Sequence, residues 1–238
     1  NSVLVVVCVG AFIMGNMAGA GPISGSGPAG TLAGRETLVA NDAAKSLQEK
    51  IDAARPGTKL EIPAGTYNTP ITITKSLMLK GEDKDKCIFE VTADKPAISI
   101  DAKGKGAVLI DGVTIKWQLQ TSGRHKNPYA LGIKDTKAKI NNCLFRPLGN
   151  FQRSPGAVFV RGFSEMVLSN CDFEGFEYVV CYGEGTKGMM TDCFIRNCGH
   201  QGVILYRGAT ATVQRNIITG SRYHAVRTTG GKLTMKEN

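Results

Sequence analysis

One phrase recurs along the second half of this chain. "VLSNCDFEGFEYVVCYGEG" begins at Val167, "GMMTDCFIRNCGHQGVILYRGA" at Gly188 and "TVQRNIITGSRYHAVRTTGG" at Thr212. Its anchor residues are spaced by 22 from Cys171 to Cys193, by 23 from Cys193 to Asn216 and by 22 from Asn216 to Asn238. An apolar residue precedes each anchor by three positions (Leu168, Met190, Val213, Met235), and Phe173, Ile195 and Ile218 follow by two. Short β-type runs on a fixed period of this size indicate a solenoid. A coil of that length holds three short strands with their turns, and no coil buries its apolar residues without its neighbours. The chain is therefore predicted to be all-β, with one coil per repeat.

The earlier segments are read against that period. Ser2 to Met14 is an apolar run of 13 residues, too short for a bilayer-spanning helix of about twenty. Ala18 and Ala20 suit a small-residue cleavage site before Gly21, so residues 1–20 read as a secretory signal peptide that begins partway through. Residues 21–40 open with the Gly/Ser/Pro-rich "GPISGSGPAGTLAG" and read as a flexible linker. Residues 41–238 are assigned to the solenoid, predicted to be incomplete at its C-terminal end because "LTMKEN" stops within a coil. Asn41 or Asp42 is expected to cap a helix with Ala43, Ala44, Leu47, Ile51 and Ala54 on one face, stopped by Pro56-Gly57. Short alternating runs follow: "TKLEIPAGTY", "TPITITKSLMLKGE", "CIFEV" and "PAISIDAKGKGAVLIDGVTIKW". Ile110, Val113 and Ile115 match the offsets of Ile140, Cys143 and Phe145. Insertions fall in "QLQTSGRHKNPY" and near "RPLGNFQRSPG".

"LQEKIDAARPGTKLEIPAGTY", followed by coils of the form apolar-x-x-Asn/Cys-x-apolar, resembles the right-handed parallel β-helix, pectin-lyase-like superfamily of exported bacterial type. The resemblance covers Asn41 to Asn238. It implies an N-terminal capping helix and Asn or Cys ladders in one turn. The superfamily includes lyases, hydrolases, epimerases, tail spikes and adhesins, so the resemblance is specific for fold and not for function. Its lyases use a Lys or Arg base together with calcium or Arg on the uronate, which makes Ca2+ a cofactor implied by resemblance alone. The lyase motifs "WIDH" and R-x-P-x-x-R are missing, as are the hydrolase motifs "NTD", "DD" and "RIK". "CGHQG" around His200 is only faintly similar to the hydrolase "GHG".

Cleavage of the leader would remove Cys8 and leave Cys87, Cys143, Cys171, Cys181, Cys193 and Cys198. An even count in an exported protein invites disulfides. Three of these residues occupy the anchor position, though, and equivalent residues on stacked coils lie about 4.8 Å apart. A ladder of reduced, buried thiols is the reading favoured here. The net charge of +9 points toward acidic polysaccharide or anionic surfaces. No helix-turn-helix, finger spacing or RNP-like strand selects nucleic acid. A monomer with no membrane contact after cleavage is expected, secreted or held in the periplasm or at the cell surface.

Alternation places Cys143/Phe145, Cys171/Phe173, Cys193/Ile195 and Asn216/Ile218 inward on one strand face. Arg146, Glu174 and Arg196 then stack outward as a ladder of ion pairs. Asp172, Glu174 and Asp192 are a candidate acid cluster or calcium site. On a second face, Val158/Val160, Val179/Cys181, Val203/Leu205 and Val226/Thr228 are taken as inward. Phe159, Arg161, Tyr182, Tyr206 and Arg227 then face outward, with Arg207 at a turn. Aromatic rings interleaved with Arg suit sugars that carry carboxylate or sulfate. His200 and His224 fall at corresponding turns beside Arg207, Arg222 and Arg227. This makes His200, His224 and Arg227 the candidate catalytic groups, and Arg161, Tyr182, Tyr206, Arg207 and Arg222 the candidate substrate contacts. A second candidate contact is the basic insertion holding Lys116, Arg124, His125, Lys126 and Tyr129. The functional expectation is an exported protein that binds, and cleaves or epimerises, an acidic polysaccharide. The alternative is a non-catalytic carbohydrate-binding or adhesion module.

Overall fold

The computed structural model describes residues 46–121, 129–149 and 155–238. Residues 1–45, where a leader and a linker are expected, and the insertion residues Arg124, His125 and Lys126 lie outside the described residues. Helix α1 (Leu47–Ala53) begins later than the expected cap at Asn41 or Asp42. Its N-cap is Ser46, whose side chain accepts from the Glu49 amide while the Glu49 carboxylate accepts from the Ser46 amide. This reciprocal box satisfies two of the donors that a helix start leaves open. Ile51 is fully buried, and the Gln48 side chain bonds both backbone groups of Thr72, fixing the helix over the first coil.

Among the described residues the strands form three parallel sheets. Sheet A has eight strands, from Lys59–Ile62 to Lys232–Lys236; sheet B has seven, from Gly65–Tyr67 to Ile217–Thr219; sheet C has seven, from Ile71–Ile73 to His224–Thr228. The chain visits A, B and C in turn, and each strand pairs with its counterpart one coil away. Strand side chains alternate between faces, so every sheet contributes an inward column. Leu79, Ile110, Ile140, Leu168, Met190 and Val213 form the column of sheet A. Phe89, Ile115, Phe145, Phe173 and Ile195 form that of sheet B. All eleven have no exposure, and Phe145 stacks on Phe173 at 4.6 Å between centroids.

The repeat anchor proves to be the inner side of the corner from sheet A to sheet B. The residue just before it adopts positive φ in every coil from Gly112 onward: Gly112 (70°), Asn142 (49°), Asn170 (53°), Asp192 (55°), Arg215 (52°) and Glu237 (52°). Left-handed backbone lets the chain turn within two residues, at a cost that is smallest for Gly, Asn and Asp. The anchor side chain satisfies the carbonyl two residues upstream. Cys143 donates to Asn141 at 3.1 Å, Cys171 to Ser169 at 3.2 Å and Cys193 to Thr191 at 3.2 Å. Asn216 takes over the task, donating to Gln214 at 2.8 Å and to Met190 at 3.1 Å, while its carbonyl accepts from the Cys193 amide at 2.9 Å. Cys and Asn interchange at this position because both place a small donor against the same carbonyl. All six cysteines of the described residues are free and buried.

Candidate functional site

The outer face of sheet C carries a groove of about 360 Å³. Its floor is Ser99 and Gly132, register partners on adjacent coils, and Phe159 continues the same row one coil further on. Two small residues followed by a ring create the depression. One wall is Lys95 and Pro96; the buried Trp117 holds it by donating its indole N–H to the Lys95 carbonyl at 3.0 Å. The opposite wall is Tyr129 stacked on Phe159, with centroids 4.9 Å apart and planes at 20°. That stack depends on Gly156, where a Cβ would lie 2.1 Å from the Tyr129 ring. Asp101, Lys134 and Arg161 complete the lining. Lys134 Nζ lies 3.3 Å from Asp101 Oδ2 and 3.6 Å from Asp135 Oδ2. Three cations and one acid thus face two stacked rings.

The Tyr129 hydroxyl donates to the Cys181 thiol at 3.4 Å. Burial raises the Tyr129 phenol far above its ordinary value, and the nearby Cys181, Tyr206 and Tyr178 add to the rise. Burial likewise lifts the Cys181 thiol to about 12, so it stays protonated and unreactive at neutral pH. The aromatic surface continues toward the C-terminal coils. His200 lies between Tyr178, at 5.1 Å, and Tyr223, at 4.3 Å, and the Arg222 guanidinium sits 5.8 Å from the Tyr223 ring. Burial also raises Tyr178 and Tyr206.

The residues singled out from sequence divide into groups. Arg161 lines the groove. Tyr206, Arg207, Arg222 and Arg227 are exposed on or beside the last two coils of sheet C. His200 and His224 do come together at the backbone, since the amides of Tyr223 and His224 both donate to the His200 carbonyl. The ring on His200, however, is Tyr223. The Nδ1 atoms of both histidines are buried with no hydrogen-bond partner among the described residues.

Two expectations are corrected. Tyr182 does not face outward. Its register partners are Val160 and Leu205, so Val180 and Tyr182 point into the coil and Cys181 points out. Tyr182 has no exposure, and its ring lies where Gly188 leaves room, 2.0 Å from a hypothetical Cβ there. Asp172, Glu174 and Asp192 do not make a metal centre. Arg146 and Arg196 both hold Asp172, at 3.2 and 2.9 Å, and both reach Glu174, at 3.7 and 3.3 Å. Asp192 is tied to Arg215 at 2.8 Å. These carboxylates already have their charge balanced by guanidinium groups, and no metal-competent group of three or more His, Cys, Asp or Glu occurs among the described residues. The outward ladder Arg146, Glu174, Arg196 is therefore an ion-pair network.

The Arg215 guanidinium, then the Thr191 hydroxyl, hold the Asp192 carboxyl down at about 2. An acid depressed in the folded state contributes stability that is complete above about pH 4 and is lost as pH falls through the folded value near 2. Arg215→Ala is expected to return the Asp192 titration, followed by carboxyl-detected NMR, toward about 4. An unchanged titration would show that the pair does not form in solution.

Sequence reasoning missed Lys95, Ser99, Asp101, Gly132 and Lys134. They lie in the first coils, where the repeat is least regular. Tyr129 was named only as part of the insertion, and Lys116 of that set points instead to Glu90 on sheet B, at 3.5 Å.

No curated protein matches this sequence. Among solved structures, a mutant pectin methylesterase in complex with a hexasaccharide is similar at 14% identity and a TM-score of 0.54, with 77% of this chain covered. This chain spans 66% of that enzyme's length. A pectin methylesterase from Yersinia enterocolitica aligns at 10% identity and a TM-score of 0.46, over 78% of this chain and 90% of that one. At such identities the first likeness speaks to the fold. The family model for the right handed beta helix region matches residues 83–238. With more than half of its length matched, and with three parallel sheets wound coil upon coil, the chain belongs to the right-handed β-helix family.

Proposed function

We propose that this protein binds an acidic polysaccharide along the outer face of sheet C, with the groove as its anchor. The observation that carries this reading is the stacked Tyr129–Phe159 pair facing Lys95, Lys134 and Arg161. Rings of this kind pack against the apolar face of a sugar, and a guanidinium forks onto its carboxylate. The rings and cations of the last two coils, including Tyr206, Tyr223, Arg222 and Arg227, extend the same face for a longer chain. A net charge of +9 adds long-range attraction for a polyanion. The fold neighbour that holds a hexasaccharide supports a sugar ligand for this architecture. Export, suggested by the apolar N-terminal run, would bring the protein to such polymers.

Between binding and hydrolysis by a pair of acids, the geometry favours binding. Hydrolysis by paired acids needs two carboxyl groups across one bond. The described lining of the groove holds one, Asp101, engaged by Lys134. Asp172 and Glu174 belong to sheet B and face arginines.

The test is calorimetric titration with polygalacturonate and, separately, with a neutral glucan, at low and at physiological salt. Polygalacturonate is expected to bind with salt-sensitive affinity and the glucan not at all. Arg161→Ala is expected to weaken polygalacturonate binding about 10- to 100-fold, with the circular dichroism spectrum unchanged. Equal affinity for both polymers, or an Arg161→Ala protein that binds as well as the original, would remove the groove from the account.

A further inference from the structure

The outer face of sheet A has a chemistry of its own. Its strands contain lysines and no arginine. Pairing places Met78, Leu109, Lys139, Val167 and Met189 in one outward row on consecutive strands. Met189 is 41% exposed, and the other three apolar side chains are half-buried. Lysines flank the row. Lys59 is taken by Glu61 at 2.7 Å and Lys137 by Glu165 at 3.6 Å. Lys139, Lys187, Lys232 and Lys236 are exposed and make no ion pair among the described residues. Of the other acids on this side, Asp111 accepts from the Asn141 side-chain amide at 2.7 Å, and Glu184 is exposed in the corner that leads in from sheet C.

At the rim of this face stands Phe163, two residues before the strand Glu165–Ser169 and 97% exposed. Its turn is rigid. Gly162 adopts a φ of 67°, and a Cβ there would lie 2.2 Å from Asp135 Oδ1. That oxygen accepts from the Phe163 amide at 2.9 Å, while the Ser164 hydroxyl donates to the Arg161 carbonyl at 2.6 Å. The Asp135 carbonyl also accepts from the Gly104 amide at 2.7 Å, which joins the exposed Lys103 and Lys105 to the same corner. We propose that the outer face of sheet A and this corner form a peripheral docking surface for an anionic lipid bilayer. Lysine ammonium groups are compact point charges on flexible stems, so the heads meet lipid phosphates while the stems lie along the interface. The apolar row and the Phe163 ring supply the second signal, apolar insertion, that stable binding to a bilayer surface needs. A soluble polyanion would engage the charges and leave Phe163, Val167 and Met189 in water, so lipid is the better match. The surface is separate from the groove of sheet C and does not depend on the sugar-binding reading. From sequence no membrane contact was expected, because these residues form one face only once the coils stack.

The test is co-sedimentation with vesicles of phosphatidylcholine alone, and of three parts phosphatidylcholine to one of phosphatidylglycerol, at low and at high salt. Binding is expected to the anionic vesicles only, and to weaken as salt rises. Lys139→Gln and Lys187→Gln are each expected to lower the partition coefficient about fivefold, and Phe163→Ser about tenfold. All three change exposed side chains, and unchanged circular dichroism checks that the variants are folded. Phe163→Trp reports insertion directly, because the one native tryptophan, Trp117, is buried. Its emission is expected to shift to shorter wavelength with anionic vesicles and not with dextran sulfate. Equal sedimentation with both vesicle types, or variants that bind as well as the original, would overturn the proposal. An equal emission shift with dextran sulfate would make the face a polyanion site and overturn it too. Absence of vesicle binding, with self-association that Phe163→Ser abolishes in analytical ultracentrifugation, would assign the face to contact between copies instead.

Discussion

Tyr182→Ala is expected to destabilise the protein by about 3–5 kcal/mol, the range for truncating a large buried aromatic side chain. Tyr182 has no exposure and fills the space between the sheet C column and Gly188 on sheet A. Truncation leaves a cavity at the middle of the solenoid, where coils on both sides lose a packing partner. The companion variant separates ring from hydroxyl. Tyr182 Oη is buried with no partner among the described residues, and burial raises its phenol above the ordinary value. Tyr182→Phe removes an unsatisfied polar group and keeps the ring, so it is expected to raise stability by about 1 kcal/mol. Urea midpoints for the two variants check both statements. A Tyr182→Phe protein that loses as much as Tyr182→Ala would mean that the hydroxyl has a partner. A Tyr182→Ala protein of unchanged stability would place the side chain outside the core.

Asn216→Ala carries the second largest effect, about 2–4 kcal/mol. The Asn216 side chain has four polar partners: its two N–H groups are shared among the carbonyls of Gln214 and Met190 and the Asn238 Oδ1, and its own carbonyl accepts from the Cys193 amide. Each contributes about 0.5–1.5 kcal/mol net, and their loss leaves buried backbone groups open. Asn216→Cys is expected to cost about half as much. A thiol serves the same carbonyl in three earlier coils, although it cannot accept from the Cys193 amide with comparable strength. In a solenoid the damage should stay near the affected coils. Hydrogen exchange is therefore the sharper readout: the Cys193 amide should lose protection in Asn216→Ala while the Ile140 amide keeps its own. Uniform loss of protection along the chain would show a single cooperative unit instead.

These two residues also show why the sequence could be read so far and no further. Asn216 was identifiable because the anchor recurs at a fixed interval. Tyr182 was misplaced because "YVVCY" is apolar or aromatic throughout, so alternation cannot choose its phase. A slip of one residue exchanges the two faces of a strand. The choice is made by room in a neighbouring strand, at Gly188, and by pairing with Val160 and Leu205. The acids were misassigned for a related reason. Asp172 and Glu174 share a face in sequence, yet their chemistry is decided by Arg146 and Arg196 from adjacent coils.

The repeat by itself determined the coil length, the three-strand coil and the inward columns of sheets A and B. Each of these follows from a local rule, periodic burial or the donor needs of one tight corner, restated every coil. The tertiary structure alone decided the groove. Its floor, walls and charges come from Lys95, Ser99, Asp101, Tyr129, Gly132, Phe159 and Arg161, which are spread over three coils. Winding the chain brings residues about thirty positions apart into adjacent rows. A depression forms only where small residues in two rows meet rings in the next. No single coil carries that pattern, and so no repeat could announce it.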